Sequence, residues 1–264
     1  MYDLSQVSGR TALITGASTG IGAEFARQLA ARGANLVLVA RSVDKLEQTA
    51  ATLRAEYHVD VVTEQLDLAV PDAPKRLFER VAELGLAVDL LVNNAGLGWS
   101  GPSAELAPAG AAALVDLNVK AVVENTVRFL PAMVARGRGA IVNVASTAAF
   151  QPAPYLAAYA ATKAFVLSFT QAVSAENADT GVRVLALCPG PTETPMMSGQ
   201  KSPLGRMRTP EQVVATALRA LGGRRPSVVD GRLNAFVARI VSRLPESMLL
   251  TMAARMMKRN AAAH

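Results

Sequence analysis

The sequence predicts an α/β fold built on one parallel sheet covered by helices on both faces. Three observations carry the prediction. Short, branched apolar runs alternate with helix-patterned segments along most of the chain. The runs are continuously apolar rather than alternating, as strands buried on both faces must be. The first run ends in a glycine-rich turn that opens directly into a helix, Thr15-Gly16-Ala17-Ser18-Thr19-Gly20-Ile21-Gly22.

The elements follow in order. Residues 11–15 read as a strand, and residues 21–32 as a helix with Phe25 and Leu29 on one face and Gly33 as its terminator. Residues 35–40 are a buried strand by length and branching, followed by a helix over 42–56 with Asp44 near its start. A third strand is expected at 59–66, a helix at 71–84, a fourth strand at 90–94 and a loop at 95–102. One long helix over 114–136 leads to a strand at 140–146. A helix at 159–178 precedes the strand at 182–187, which feeds Cys188-Pro189-Gly190. Residues 199–208, rich in Gly, Pro, Ser and basic residues, read as a mobile lid. Residues 233–258 mix apolar residues with Arg239, Arg243, Arg255 and Lys258, and read as two amphipathic helices broken at Pro245. The division expected is a catalytic domain over 1–232 and a basic extension over 233–264, packed on that domain or on a partner subunit.

With 264 residues, 51% of them apolar, the chain can bury a large core in one domain. A single cysteine, Cys188, rules out an internal disulfide and a zinc site of several thiolates, so no metal is expected and the compartment reads as reducing. The opening Met-Tyr-Asp-Leu-Ser-Gln lacks a basic segment followed by an apolar run, and no stretch is long enough to span a bilayer. A cytoplasmic location, free or peripheral to a membrane, is therefore expected. Residues 201–264 hold 12 Lys and Arg against 3 Asp and Glu, whereas residues 1–200 hold 15 against 18. The basic end suits an anionic membrane, a phosphorylated substrate carrier or a solvated surface alike. It lacks the aromatic interleaving of a nucleic-acid binder, so no nucleic acid is expected.

Tyr159 and Lys163 stand four residues apart in a helical segment and therefore share a face. A phenol is a weak acid near neutrality, and a fixed ammonium beside it is expected to lower its pKa. Gly16, Gly20 and Gly22 permit positive φ and close backbone approach, while the helix after them aims free amides at a diphosphate. Arg41, at the end of the second strand, cannot accept hydrogen bonds from ribose hydroxyls but can clamp a 2′-phosphate, and Ser42 can add a contact. That favours NADP(H), with NAD(H) as the alternative.

Taken in order, Thr15-Gly16-x-x-x-Gly20-x-Gly22, Asp67, Asn93-Asn94-Ala95-Gly96, Asn118, Ser146, Tyr159-x-x-x-Lys163 and Pro189-Gly190 with Thr194 resemble a short-chain dehydrogenase/reductase, over residues 8–232. The resemblance implies a single-domain Rossmann-type doubly wound sheet of about seven strands, and a homodimer or homotetramer. It implies that Asn118, Ser146, Tyr159 and Lys163 are catalytic. Asn118 would anchor a water, Ser146 would hold the substrate oxygen, Tyr159 would exchange its proton, and Lys163 would bind the nicotinamide ribose. It also places Gly16, Ser18, Thr19, Gly20, Ile21, Gly22, Arg41, Ser42, Asn94, Ala95, Gly96, Pro189, Gly190, Thr192 and Thr194 around the cofactor, with Asp67 and Leu68 at the adenine. In place of the basic residue that many NADPH-selective relatives carry in the glycine turn stands Thr19, which leaves coenzyme choice to Arg41.

The candidate pocket wall, Trp99, residues 147–155 and Met196-Met197, is apolar and suits a hydrophobic ketone or 3-oxoacyl group. The expected activity is thus reversible reduction of a lipid-like carbonyl. The alternative is a cofactor-binding regulatory or scaffold protein of the same fold without turnover.

Overall fold

The computed structural model describes residues 2–198, 207–241 and 250. Seven strands form one sheet in the order β3-β2-β1-β4-β5-β6-β7, every neighbouring pair parallel. They are β1 Thr11–Thr15, β2 Asn35–Ala40, β3 Val61–Gln65, β4 Val88–Asn93, β5 Gly139–Val144, β6 Val182–Cys188 and β7 Ser227–Val229. The chain runs outward from β1 to β3, then returns to the other side of β1 and runs outward again. Between β1 and β4 the crossovers diverge to opposite faces, and a crevice opens at the carboxyl ends of those two strands.

Alternation along the strands divides the core. Ala12, Ile14, Leu36, Leu38, Leu90 and Val92 pack on one face with Phe25, Leu29, Leu46, Val213 and Leu218. Leu13, Val37, Val39, Leu91 and Ile141 pack on the other with Leu77, Val81, Phe129 and Met133. Each fully buried side chain of this size stabilises the fold by about 1.5–3 kcal/mol, so the central strands form a stiff floor beneath the crevice.

The helices are α1 Gly20–Ala30, α2 Val43–Tyr57, α3 Ala73–Glu83, α4 Pro108–Val115, α5 Ala121–Ala135, α6 Ala157–Glu176, α7 Pro210–Leu221 and α8 Arg232–Val241. Three differ from expectation. The helix predicted over 114–136 begins earlier, at α4, and passes through a π-helical turn at Asp116–Lys120 before α5. The α7 helix and the three-residue β7 were not delimited from sequence, although Thr209 and Gln212 form a reciprocal capping box at the start of α7. The first amphipathic tail helix corresponds to α8; the second lies outside the described residues, as does the expected lid except for residues 207 and 208. No helix among the described residues is long and apolar enough to cross a membrane.

Candidate active site

The crevice is locked across its floor before any ligand is considered. The Thr15 hydroxyl, at the end of β1, donates to the Val92 carbonyl (3.3 Å) and accepts from the backbone N–H groups of Asn94 and Ala95 (3.0 Å each). Asn94 reaches back, its Nδ2 donating to the carbonyls of Thr15 (3.0 Å) and Gly16 (3.2 Å). A Cβ at position 22 would stand 2.2 Å from the Gly16 carbonyl oxygen and 2.5 Å from Asn94 Nδ2, so only glycine fits there. Gly16 and Gly20 take φ of +65° and +57°, which turns the chain sharply into α1.

Two helices start at this edge with uncommitted caps. Thr19 and Ser42 are the N-cap residues of α1 and α2, and neither side chain makes a capping bond. Arg41, exposed beside Ser42, has no ion-pair partner among the described residues. Ser18 and Ile21 are partly buried in the same turn. Asp67 lies beyond the end of β3, two strands out from β1, where its Oδ1 accepts from Ala69 N–H (2.9 Å) in a local turn, and Leu68 is buried beside it.

The chemical groups meet on the other side of the crevice. Ser146 follows β5, its hydroxyl accepting from Ala148 N–H (3.1 Å), and it is the group that favours the ionised form of the Tyr159 phenol. Tyr159 and Lys163 occupy successive turns at the start of α6, with Nζ 5.9 Å from the phenol ring centroid. Lys163, 5% exposed, donates from Nζ to the Val144 carbonyl at 2.8 Å. The Asn118 side chain, in the π-helical turn, accepts from Leu97 N–H (2.8 Å) and donates to the Leu97 carbonyl (2.9 Å) and Thr162 Oγ1 (3.1 Å). That side chain therefore ties the 94–97 segment to α6. The three bonds hold Asn118 fully buried between the two segments. A Cβ on Gly96 would lie 3.2 Å from Asn118 Oδ1 and 3.5 Å from Lys163 Nζ, so the backbone passes close over both.

Electrostatics here run against one sequence expectation. Burial pushes the Lys163 ammonium down from 10.5 to about 8, with Cys188 opposing the shift. Burial pushes the Tyr159 phenol up, and the Ser146 hydroxyl offsets part of that. Lys163 thus does not lower the Tyr159 value as predicted, because its Nζ is turned to Val144 and desolvation dominates. Behind them the buried Cys188 thiol is pushed up to about 12 by desolvation and stays neutral.

The rim comes from the segments named as pocket wall. Gly101 N–H donates to the Tyr155 carbonyl (2.8 Å), the Trp99 ring folds over Gly101, and Met196 lies against Gly98. Pro189 and Gly190 continue from β6; Thr147 N–H donates to the Pro189 carbonyl (2.8 Å), and Thr192 Oγ1 donates to the Gly190 carbonyl (2.8 Å). Thr194 packs its methyl over Gly20, 3.0 Å from where a Cβ would stand. Sequence reading missed the buried network under this floor. In it, Asn93 Nδ2 donates to Asn143 Oδ1 (2.9 Å), Asn125 Nδ2 donates to Asn93 Oδ1 (3.1 Å), and Asn143 Nδ2 donates to Thr170 Oγ1 (3.1 Å). It also missed Arg208 and Asp230, which pair behind Gly190.

A doubly wound sheet with a glycine turn at its switch point and a Ser-Tyr-Lys cluster across the crevice defines a dinucleotide-dependent oxidoreductase. The sequence matches the model of the short chain dehydrogenase family over residues 10–204. It is 32% identical to the very-long-chain 3-oxoacyl-CoA reductase of Homo sapiens over 255 residues, covering 95% of this chain and 80% of that protein. The reductase of that name from Macaca fascicularis is 31% identical over 259 residues, with the same coverages. A short-chain dehydrogenase from Sphingobium yanoikuyae, solved in complex with NADPH, superposes with a TM-score of 0.79 at 33% identity, covering 90% of this chain and 97% of its own. A 7beta-hydroxysteroid dehydrogenase superposes with a TM-score of 0.86 at 28% identity, covering 95% and 99%. The chain belongs to the short-chain dehydrogenase/reductase family of NAD(P)-dependent oxidoreductases.

Proposed function

We propose that the protein uses NADPH to reduce a hydrophobic ketone or 3-oxoacyl group to a secondary alcohol. The observation that carries this is the gathering of Ser146, Tyr159 and Lys163 around the end of β5 and the start of α6, across from two helix N-termini whose cap side chains are uncommitted. The donor set fits a phosphorylated dinucleotide. Thr19, Gly20 and Ile21 open α1 toward a diphosphate, and Arg41 with Ser42 suits a 2′-phosphate, for which an acidic residue would be wrong. Asn94 to Gly96, Thr192 and Thr194 would line the nicotinamide end and Lys163 would bind its ribose, a reading supported by the packing of Thr194 on Gly20 and of Gly96 beside Lys163 Nζ. When bound, the nicotinamide supplies a hydride to the carbonyl carbon.

The chain's own residues then manage the oxygen. Ser146 and Tyr159 donate hydrogen bonds to it and stabilise the negative charge that develops as the carbonyl is reduced. Tyr159 gives up its phenolic proton to that oxygen. The phenol, its pKa raised by burial, has this proton to give at neutral pH. Asn118 holds the 96–97 backbone close over the Lys163 ammonium, which Val144 anchors one helical turn from Tyr159.

A lipid-like substrate is supported by the apolar rim and by α8. Leu233, Phe236 and Ile240 are 56%, 61% and 42% exposed on one side of that helix, whose inner side packs near the 147–150 segment beside Ser146. Residues 232–264 hold six Lys and Arg against one Glu, so this face suits an anionic lipid surface or a phosphorylated acyl carrier. The test is Tyr159→Phe against a panel of ketones and 3-oxoacyl thioesters of increasing length, with NADPH and NADH. Turnover should fall by about three orders of magnitude or more while NADPH binding persists. Unchanged turnover in that variant would refute the enzyme reading, and a wild type inert on the whole panel would favour the non-catalytic one.

A further inference from the structure

Asp230 follows β7 and is wholly buried. Its carboxylate receives a two-pronged bond from Arg208, Nε to Oδ2 at 2.9 Å and Nη2 to Oδ1 at 3.1 Å, and a third from Thr216 Oγ1 of α7 at 2.6 Å. Its backbone N–H donates to the Cys188 carbonyl at the end of β6 (3.1 Å), and its carbonyl accepts from Asn234 Nδ2 of α8 (2.9 Å). The same Asn234 amide presses on Gly190, where a Cβ would come within 2.3 Å of Nδ2. One residue therefore joins β6, α7, α8 and Arg208.

Arg208 in turn holds the strand of chain that leaves the site at Gly190. Its N–H donates to the Pro191 carbonyl (3.0 Å), and its carbonyl accepts from Glu193 N–H (2.9 Å). These bonds pin Pro191 and Glu193 on either side of Thr192, just before Thr194 packs over Gly20 at the mouth of the glycine turn. The seat of Thr194 over the glycine turn is thus tied to the position of Arg208, and a buried carboxylate fixes that position.

We propose that the Arg208–Asp230 pair is a positioning device for the cofactor, holding Thr192–Thr194 at the spacing from α1 that the bound dinucleotide needs. The inference rests on the NADPH reading above. Neither side chain touches the reacting atoms in it; the pair acts through the backbone of Pro191 to Thr194. A carboxamide-for-carboxylate change at 230 keeps the shape but removes the charge that makes the fork strong, so the pinned segment should drift and cofactor should be held less well.

The experiment is a fluorescence titration of wild type, Asp230→Asn, Arg208→Lys and the neutral double variant Arg208→Gln/Asp230→Asn with NADPH and, separately, NADH. Ketone KM and kcat are measured at saturating NADPH. Asp230→Asn should raise the NADPH dissociation constant about tenfold or more, with Arg208→Lys intermediate and the double variant partly restored. Ketone KM at saturating NADPH should stay within about twofold, since the loss is in cofactor seating. Val81→Ala, a core change in α3 far from the site, serves as a control: it should lower Tm and leave the dissociation constant unmoved. Should Asp230→Asn fail to fold, Arg208→Lys carries the test. Folded variants that bind NADPH as wild type does, or a Val81→Ala that weakens binding equally, would overturn the proposal alone. A wild type that binds neither coenzyme would overturn the cofactor reading with it.

Discussion

Replacing Lys163 with methionine should make the protein more stable and inactive at once. The ammonium is 5% exposed, and burial moves its pKa from 10.5 to about 8. A gap of about 2.5 pH units means that the charged form is less comfortable folded than unfolded by about 3 kcal/mol at pH 7. Methionine keeps most of the apolar stem but leaves the Val144 carbonyl without its donor, which costs about 1–2 kcal/mol. The net expectation is a gain of about 1–2 kcal/mol at pH 7. The sign of its pH dependence follows from linkage. The folded value lies below the unfolded one, so between about pH 8 and 10.5 the unfolded chain binds the extra proton. The penalty on the wild type is therefore full below pH 8 and disappears as pH rises through that window. The advantage of Lys163→Met should shrink by about 2 kcal/mol between pH 7 and pH 9.5. Urea unfolding of both proteins at a series of pH values, followed by far-ultraviolet circular dichroism, measures the difference directly. A constant gap, or one that widens with pH, would refute the assignment of a depressed, buried ammonium. The same titration predicts that reduction by the wild type declines above about pH 8, as the buried ammonium expected to hold the nicotinamide ribose loses its charge.

Arg41→Ala should raise KM for NADPH about 10- to 100-fold and leave KM for NADH nearly unchanged, because it deletes charge-assisted bonds to a phosphate that only one coenzyme carries. Steady-state kinetics with each coenzyme decide it, and equal effects on both would remove Arg41 from the phosphate site. Wild-type protein should cosediment with anionic vesicles at low salt and be released by high salt, and Phe236→Ser should weaken that binding about tenfold or more. Failure to bind anionic vesicles under any salt condition would exclude the lipid-surface role of α8.

The sheet was legible because parallel strands buried on both faces must be apolar throughout, and the runs at Ala12–Ile14, Leu36–Val39 and Leu90–Val92 are. The glycine turn and the Tyr159/Lys163 pair were legible because their chemistry is local: two backbone positions needing positive φ, and one helical turn between two side chains. The α7 helix is announced only by its start, the capping box Thr209-Pro210-Glu211-Gln212, which directly follows a Gly-, Pro- and Ser-rich stretch that reads as loop. The π-helical turn was hidden because 109–113 is a run of Ala and Gly with no periodic pattern to set a phase. The electrostatic error at Tyr159 has another source. Spacing fixes which residues share a helix face, but not where a long lysine side chain sends its charge, and here the carbonyl at the end of β5 takes it. The Arg208–Asp230 pair spans 22 residues, and no local pattern marks either partner.

What each part of the molecule contributes can be separated on this basis. The floor of the crevice is made of bonds that cross from β1 to β4 and from β4 to β5, through Thr15, Asn94, Asn93 and Asn143, on strands packed from both sides. Such a floor can place a nicotinamide and a phenol with little variation, and it holds nothing that distinguishes one ketone from another. On the proposed reading, the groups that would make that distinction lie on connections above it: Trp99, the 147–155 segment with Tyr155 at a φ of +65°, Met196 and the inner side of α8. A bulky residue in left-handed conformation costs about 1–3 kcal/mol unless its surroundings hold it, and the Gly101–Tyr155 bond supplies part of that hold. On the proposed reading, substrate choice would reside in these connections, while the floor would hold the proton donor and the dinucleotide at a fixed spacing.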